Sequence, residues 1–166
     1  KRLQDKCGIV CVGRSYKLLR KEGIRVDFTL SVEMFYWDEA IFDGLTKEEV
    51  GDTILCYASV CSPGTVKTWP GKKMCLWDIA TADLVNRKDY IFGGNSVSHH
   101  MYNFACLVLE ADPPILVGVD LAYTKPQTHA TGTHHEAWPE KIQKSEKVFH
   151  QQEMMVACTG KGDDFH

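Results

Sequence analysis

No apolar run in this sequence approaches the ~20 residues that a helix needs to cross a bilayer, which argues against a membrane span. Basic charge is not in excess: 19 Lys and Arg face 22 Asp and Glu, for a formal net charge of −3. That balance argues against a general affinity for nucleic acid or an anionic lipid surface. Cysteine pairs at zinc-ribbon spacing are missing. So are a P-loop, a dinucleotide-binding fingerprint, a Gly-x-Ser-x-Gly elbow and an EF-hand loop. An initiator methionine is missing too: the chain starts "KRLQDK" and reads as a processed or trimmed product, which leaves room for a removed targeting segment.

What remains is ordinary in bulk. The 166 residues suffice for one well-cored domain or for two small lobes. Hydrophobic residues make up 44% and charged residues 25%, as in soluble globular proteins. The seven cysteines are Cys7, Cys11, Cys56, Cys61, Cys75, Cys106 and Cys158. Most lie in apolar runs such as "ILCYASV" and "FACLV", where cysteine acts as a small hydrophobe. Their odd number and these contexts point to thiols in a reducing compartment. Pairing of Cys7 with Cys11, or of Cys56 with Cys61, is the alternative for a secreted chain.

Along the chain, "CGIVCVGRSYKLLRKE" (7–22) begins apolar and turns basic before Gly23. It fits a strand and a short helix, or one helix with Gly23 as its stop. "IRVDFTLSVEMF" (24–35) alternates apolar and polar residues as a half-buried strand does. An acidic connection (36–52) follows, then strands at 53–61 and 72–80 and a polar turn toward residue 89.

The stretch 91–126, "IFGGNSVSHHMYNFACLVLEADPPILVGVDLAYTKP", is the most distinctive. Asn95 or Ser96 can cap a helix over 96–110 whose apolar positions Val97, Met101, Phe104, Ala105 and Val108 share one face. Cys106, Leu107 and Leu109 widen that face almost to the whole circumference, so the helix is expected to be buried. Asp112-Pro113-Pro114 ends it, and "ILVGVDLAY" (115–123) alternates as a strand. Residues 137–158 carry helix formers, yet Val148, His150, Gln152, Met154 and Val156 alternate. "GIRVDFTLSV" and "ILVGVDLAYT" echo one another, and chance explains the echo as readily as duplication does.

The glycine pair 93–94, the helix, the break and "VGVDLAYTKP" (117–126) resemble the hotdog-fold acyl-CoA thioesterases, with "VGDTILCYASVCSPG" (50–64) as a supporting piece. The resemblance implies an α+β fold, an antiparallel sheet wrapped around a central helix, and makes 137–158 a strand. The unit would be one domain over 1–166, or parts of two hotdog units at about 1–90 and 91–166. It implies a protein that hydrolyses or binds acyl-CoA thioesters or another apolar small molecule, as a homo-oligomer or a subunit of a complex, without a cofactor. The N–H of Gly94 at the helix start would polarise the thioester carbonyl. Asn95 would orient the attacking water and His99 or His100 would deprotonate it, and Gly93 and Lys125 would contact the substrate. The family's helix carboxylate is absent, since no Asp or Glu occurs between residue 91 and Glu110. That departure keeps two alternatives open: a catalytically silent hotdog subunit of a larger assembly, and a small β-rich carrier of an apolar ligand.

Two further clusters remain. His129, His134, His135 and Glu136, with His99 and His100, contain metal-ligand types, but "HHE" lacks the i, i+4 spacing of a helical zinc site. A solvated loop is expected there, and no metal. Arg14, Lys17, Arg20 and Lys21, with "PGKK", could meet phosphates but fit a solvated basic face equally. An intracellular location, cytoplasm or mitochondrion, is expected.

Overall fold

The computed structural model describes residues 4–34, 41–91, 93–94 and 96–119. The chain divides into two compact units, Lys1–Leu116 and Val117–His166. The elements of the first are as follows: β1 (Val10–Val12), α1 (Gly13–Lys21), β2 (Phe28–Ser31), α2 (Lys47–Val50), β3 (Ile54–Ala58), α3 (Pro63–Thr68), β4 (Lys72–Leu76), α4 (Ile79–Leu84) and α5 (Val97–Asn103). A π-helical turn, Phe104–Val108, prolongs α5.

The four strands form one sheet in the order β1-β2-β3-β4, and every pairing is parallel. Val10, Phe28, Ile54 and Lys72 lie in register, followed by Cys11, Thr29, Leu55 and Lys73. A parallel sheet needs a crossover between consecutive strands, and α1, α2 and α3 occupy those crossovers. The expected antiparallel hotdog sheet is therefore wrong. The strand expected at 24–35 as half-buried is in fact buried on both faces: Thr29, Leu30 and Ser31 are all buried. Helices on both sides of a parallel sheet bury both of its faces.

Local chemistry explains the helix boundaries. Gly23, at φ 69°, closes α1: its N–H donates to the Arg20 carbonyl, and the Ile24 N–H donates to the Leu19 carbonyl. This is a Schellman stop, and glycine takes the left-handed backbone conformation without cost. The single turn of α2 carries a capping box, with the Glu49 N–H donating to Thr46 Oγ1 and the Thr46 N–H donating to the Glu49 carboxylate. Ser62 and Asp78 cap α3 and α4.

Two cores flank the sheet. On one face Tyr16, Phe42 and Trp69 pack edge-to-face on one another over Cys11, Val26, Val50 and Leu55. On the other, Phe104 packs on Phe28 with Leu30, Cys56, Leu76 and Ile91. The helix expected at 96–110 is present as α5 and its π-helical turn, but it covers a face of the sheet rather than being wrapped by one. Phe104 is buried, whereas Tyr102, Leu107 and Val108 are exposed. Residues 115–119 form no strand; the rest of the strand expected at 115–123, the segment 137–158 and the end of the second echo segment, from residue 120, lie outside the described residues. No described helix is long and apolar enough to cross a membrane.

Candidate functional site

In a parallel sheet all carboxyl ends share one edge, here formed by Val12, Ser31, Ala58 and Leu76 and the residues after them. At β1 the chain passes straight into α1. Close packing favours Gly13 there: a Cβ would stand 3.1 Å from the Phe42 ring and 3.2 Å from the Leu30 carbonyl oxygen, so the neighbours would have to give way slightly. Val12, at the N-cap position, supplies no side-chain hydrogen bond to the first turn of α1.

Arg14, the next residue, reaches across to the end of β2. Its Nε donates to Glu33 Oε1 at 2.9 Å and its Nη2 to Glu33 Oε2 at 3.0 Å. The two side chains retain 19% and 18% of their exposure. A two-point Arg–carboxylate pair in a partly dried site is among the stronger polar contacts a protein makes. The Glu33 carbonyl also accepts from the Ser62 N–H at 2.7 Å, tying the β2 end to the start of α3. Cys61 Sγ donates to Ser31 Oγ, and burial pushes the Cys61 thiol up. Between β3 and β4, Ser59 Oγ donates to Asp78 Oδ2 at 2.8 Å and contacts Thr81 Oγ1, while Asp78 Oδ1 accepts from the Thr81 N–H at 3.0 Å.

The expected glycine–histidine stretch arrives at the same edge. The Ile91 N–H donates to the Trp77 carbonyl, just past β4, at 2.7 Å. From there α5 runs back along the sheet, so that Phe104 near its far end meets Phe28 at the start of β2. Gly93 and Gly94 precede α5, and His99 and His100 lie in its first turn. A Cβ on Gly93 would fall inside the His100 imidazole. The space beside this glycine is therefore occupied by a side chain of the protein, not left open for an acyl group. His100 Nδ1 lies 3.4 Å from the Ser96 carbonyl oxygen, and His99 Nδ1 lies 3.2 Å from Ser96 Oγ. Asn95, Lys125, His129, His134 and His135 lie outside the described residues. Among the described residues, no three His, Cys, Asp or Glu side chains stand close enough to hold a metal ion.

Of the basic run, Arg14 is at this edge. Lys17 instead donates to the Asp43 carbonyl, and Arg20 to the Glu49 carbonyl. Glu33, Ser59 and Asp78 went unnoticed in the sequence, because each is a single polar residue just after a strand. Only knowledge that the strands are parallel makes that position meaningful.

α5 lies against β1 and β2, at the opposite side of the sheet from β4, which it follows. The crossover helices between β1 and β4 cover one face of the sheet and α5 covers the other, the arrangement of an α/β sheet with helices on both faces.

A family model described as MptE-like, 6-hydroxymethylpterin diphosphokinase MptE-like, matches residues 1–126. The chain belongs to the MptE-like family. Its fold is Rossmann-like, which agrees with the parallel sheet. The match overturns the acyl-CoA thioesterase reading, and with it the silent hotdog subunit, the apolar-ligand carrier and an acyl-CoA partner. No curated protein and no solved structure matches the chain.

Proposed function

We propose that this MptE-like chain catalyses diphosphoryl transfer from the magnesium form of a nucleoside triphosphate to the hydroxymethyl group of a pterin. The family match over residues 1–126 carries this reading. Open α/β sheets bind ligands outside their strand carboxyl ends, which supports the edge holding Gly13, Arg14 and Glu33 as the site.

In such a transfer the substrate hydroxyl oxygen attacks the β-phosphorus. The bond from that phosphorus to the oxygen bridging the α-phosphate breaks, and the nucleoside monophosphate leaves with the electron pair. The hydroxyl proton passes to a base or to water. Catalysis is chiefly positioning and charge stabilisation. The first turn of α1, led by the closely packed Gly13, offers backbone N–H groups and the Arg14 guanidinium to phosphate oxygens. Gly93, Gly94, Asn95, His99, His100 and Lys125 remain the candidates for the second part of the site. In the contact of His100 with the Ser96 carbonyl, Nδ1 must carry the proton, because a carbonyl can only accept. Nε2 is then the basic nitrogen of that ring. A cytoplasmic or mitochondrial location belongs to the same proposal, supported by the buried thiols of Cys11 and Cys56, which serve as core residues.

The test is to incubate the chain with 6-hydroxymethylpterin, ATP and Mg²⁺ and to follow products by chromatography and mass spectrometry. The pterin diphosphate and AMP should appear in equal amounts. ADP with a monophosphorylated pterin, or no conversion, would overturn the reading.

A further inference from the structure

We propose that Glu33 selects the pterin, taking the two adjacent N–H groups of its pyrimidine edge where the Arg14 guanidinium now sits. The inference rests on the proposed pterin reaction and deepens it.

Among the described residues two carboxylates stand immediately past the strand ends, Glu33 after β2 and Asp78 after β4. Asp78 serves the fold with both oxygens. Oδ1 caps α4 through the Thr81 N–H and Oδ2 accepts from Ser59. Moving Asp78 onto a ligand would uncap α4 and release the link to β3. Glu33 has a different kind of partner, since its two oxygens accept from two N–H groups of one side chain, Arg14 Nε and Nη2.

The chemistry of that partner is the clue. A guanidinium side edge presents two parallel N–H donors. A pterin in its 2-amino-4-oxo form presents the same fork, the N3–H and one hydrogen of the 2-amino group. A carboxylate held in the plane of one is held in the plane of the other. Exchanging them leaves both Glu33 oxygens hydrogen-bonded, so no partly dried carboxylate is stranded. At 19% and 18% exposure the pair is reachable from solvent yet dry enough for the match to count. The displaced guanidinium stays at the site, because its backbone lies in the first turn of α1. There it would turn to the phosphates of the nucleotide. One pair of residues thus serves both substrates, the carboxylate for the ring and the cation for the diphosphate.

The experiment uses the full chain and two variants, Glu33→Gln and Arg14→Met. Binding of 6-hydroxymethylpterin is followed by its fluorescence, binding of magnesium with a non-hydrolysable ATP analogue by calorimetry, and the unfolding midpoint of each protein is recorded. Glu33→Gln keeps the shape and a hydrogen bond to Arg14 but sets an NH₂ against one pterin donor. Pterin affinity should fall roughly 10–100-fold, the usual worth of a hydrogen bond to a charged group, with nucleotide affinity unchanged or higher. Arg14→Met removes the competitor for Glu33, so pterin affinity should hold or rise while nucleotide affinity falls. A pair that merely braces the fold would lose both affinities together in both variants, which would overturn the proposal. So would a Glu33→Gln protein that binds pterin as the parent does. A parent chain that binds no pterin would overturn the pterin reading itself, and this proposal with it.

Discussion

The two faces of the sheet are built differently. One is thick: α1, α2 and α3 close over three interlocked aromatic rings, Tyr16, Phe42 and Trp69, all with no more than 0% exposure. The other is thin: α5 alone brings one fully buried ring, Phe104, and leaves Leu107 and Val108 exposed at 66% and 44%. The thick face sets the crossovers and so fixes where the strand ends fall. The thin face carries the glycine–histidine segment to the same edge. Stability and substrate contact are thus divided between the faces, and each prediction below probes that division.

The largest effect is expected at the centre of the thick face. Trp69 has no exposed surface and its Nε1–H donates to the Lys72 carbonyl at 3.0 Å. Trp69→Ala should cost about 4–5 kcal/mol, since it removes a ring that touches two others as well as a hydrogen bond. Denaturant unfolding gives the number. A loss near 1 kcal/mol would mean the thick face does not organise the crossovers.

On the thin face the counterpart is Phe104→Ala, expected to cost about 3 kcal/mol, the lower end for a buried aromatic ring. The lower value follows from a single ring contact, to Phe28 at 5.3 Å between centroids, and from the ease with which a half-exposed helix can settle into the gap. If Phe104→Ala proved the more damaging of the two, the thin face would be the true core.

How far this was legible from sequence depends on the kind of signal. The apolar runs at 9–12, 54–58 and 74–77, the Gly23 stop and the helix near 97–108 could be read, because burial and backbone conformation write themselves locally. Strand direction could not. Parallel and antiparallel strands share one residue pattern when both faces are covered, and only the helical crossovers distinguish them. Residues 13–21 were open to a helix following a strand, yet the glycine pair at 93–94 drew the reading toward a fold in which the helix is wrapped. Arg14 was visible as one of several basic residues and Glu33 as none in particular. Their pairing joins positions 19 residues apart, and no local pattern announces it.

A smaller effect should appear with pH, and it samples both faces. Cys11 lies in the thick core and Cys56 in the thin one, and burial pushes each thiol from 9.0 up to about 12. The neutral thiol is the form the fold prefers. Stability from this source is therefore complete below pH 9, where an unfolded thiol is also protonated. It is lost as pH rises from 9 toward 12, because the unfolded chain ionises first. The slope approaches about 1.4 kcal/mol per pH unit for each thiol. Cys11→Ala and Cys56→Ala should each flatten the alkaline limb of a stability–pH profile measured by urea unfolding. If only Cys11→Ala did so, water reaches the thin core and Cys56 is not held as a neutral thiol.

The smallest effects distinguish the helix starts of the two faces. On the thick face Thr46 closes a reciprocal cap on α2, with its Oγ1 accepting from the Glu49 N–H at 3.2 Å. Thr46→Ala should cost about 1 kcal/mol, the common value for a lost N-cap side chain. On the thin face Ser96 stands at the N-cap of α5 but makes no side-chain cap, and its Oγ lies 3.2 Å from His99 Nδ1 instead. Ser96→Ala should therefore change stability by only a few tenths of a kcal/mol, while freeing the His99 ring to reorient. The two variants, unfolded in urea side by side and compared by the NMR chemical shifts of the His99 ring at one fixed pH, test both halves of this contrast. A Ser96→Ala cost equal to that of Thr46→Ala, with the His99 ring signals unmoved, would make Ser96 an ordinary helix cap and take His99 out of the candidate site. A small stability change with displaced His99 ring signals would leave α5 as the segment whose first turn serves the ligand edge rather than its own helix.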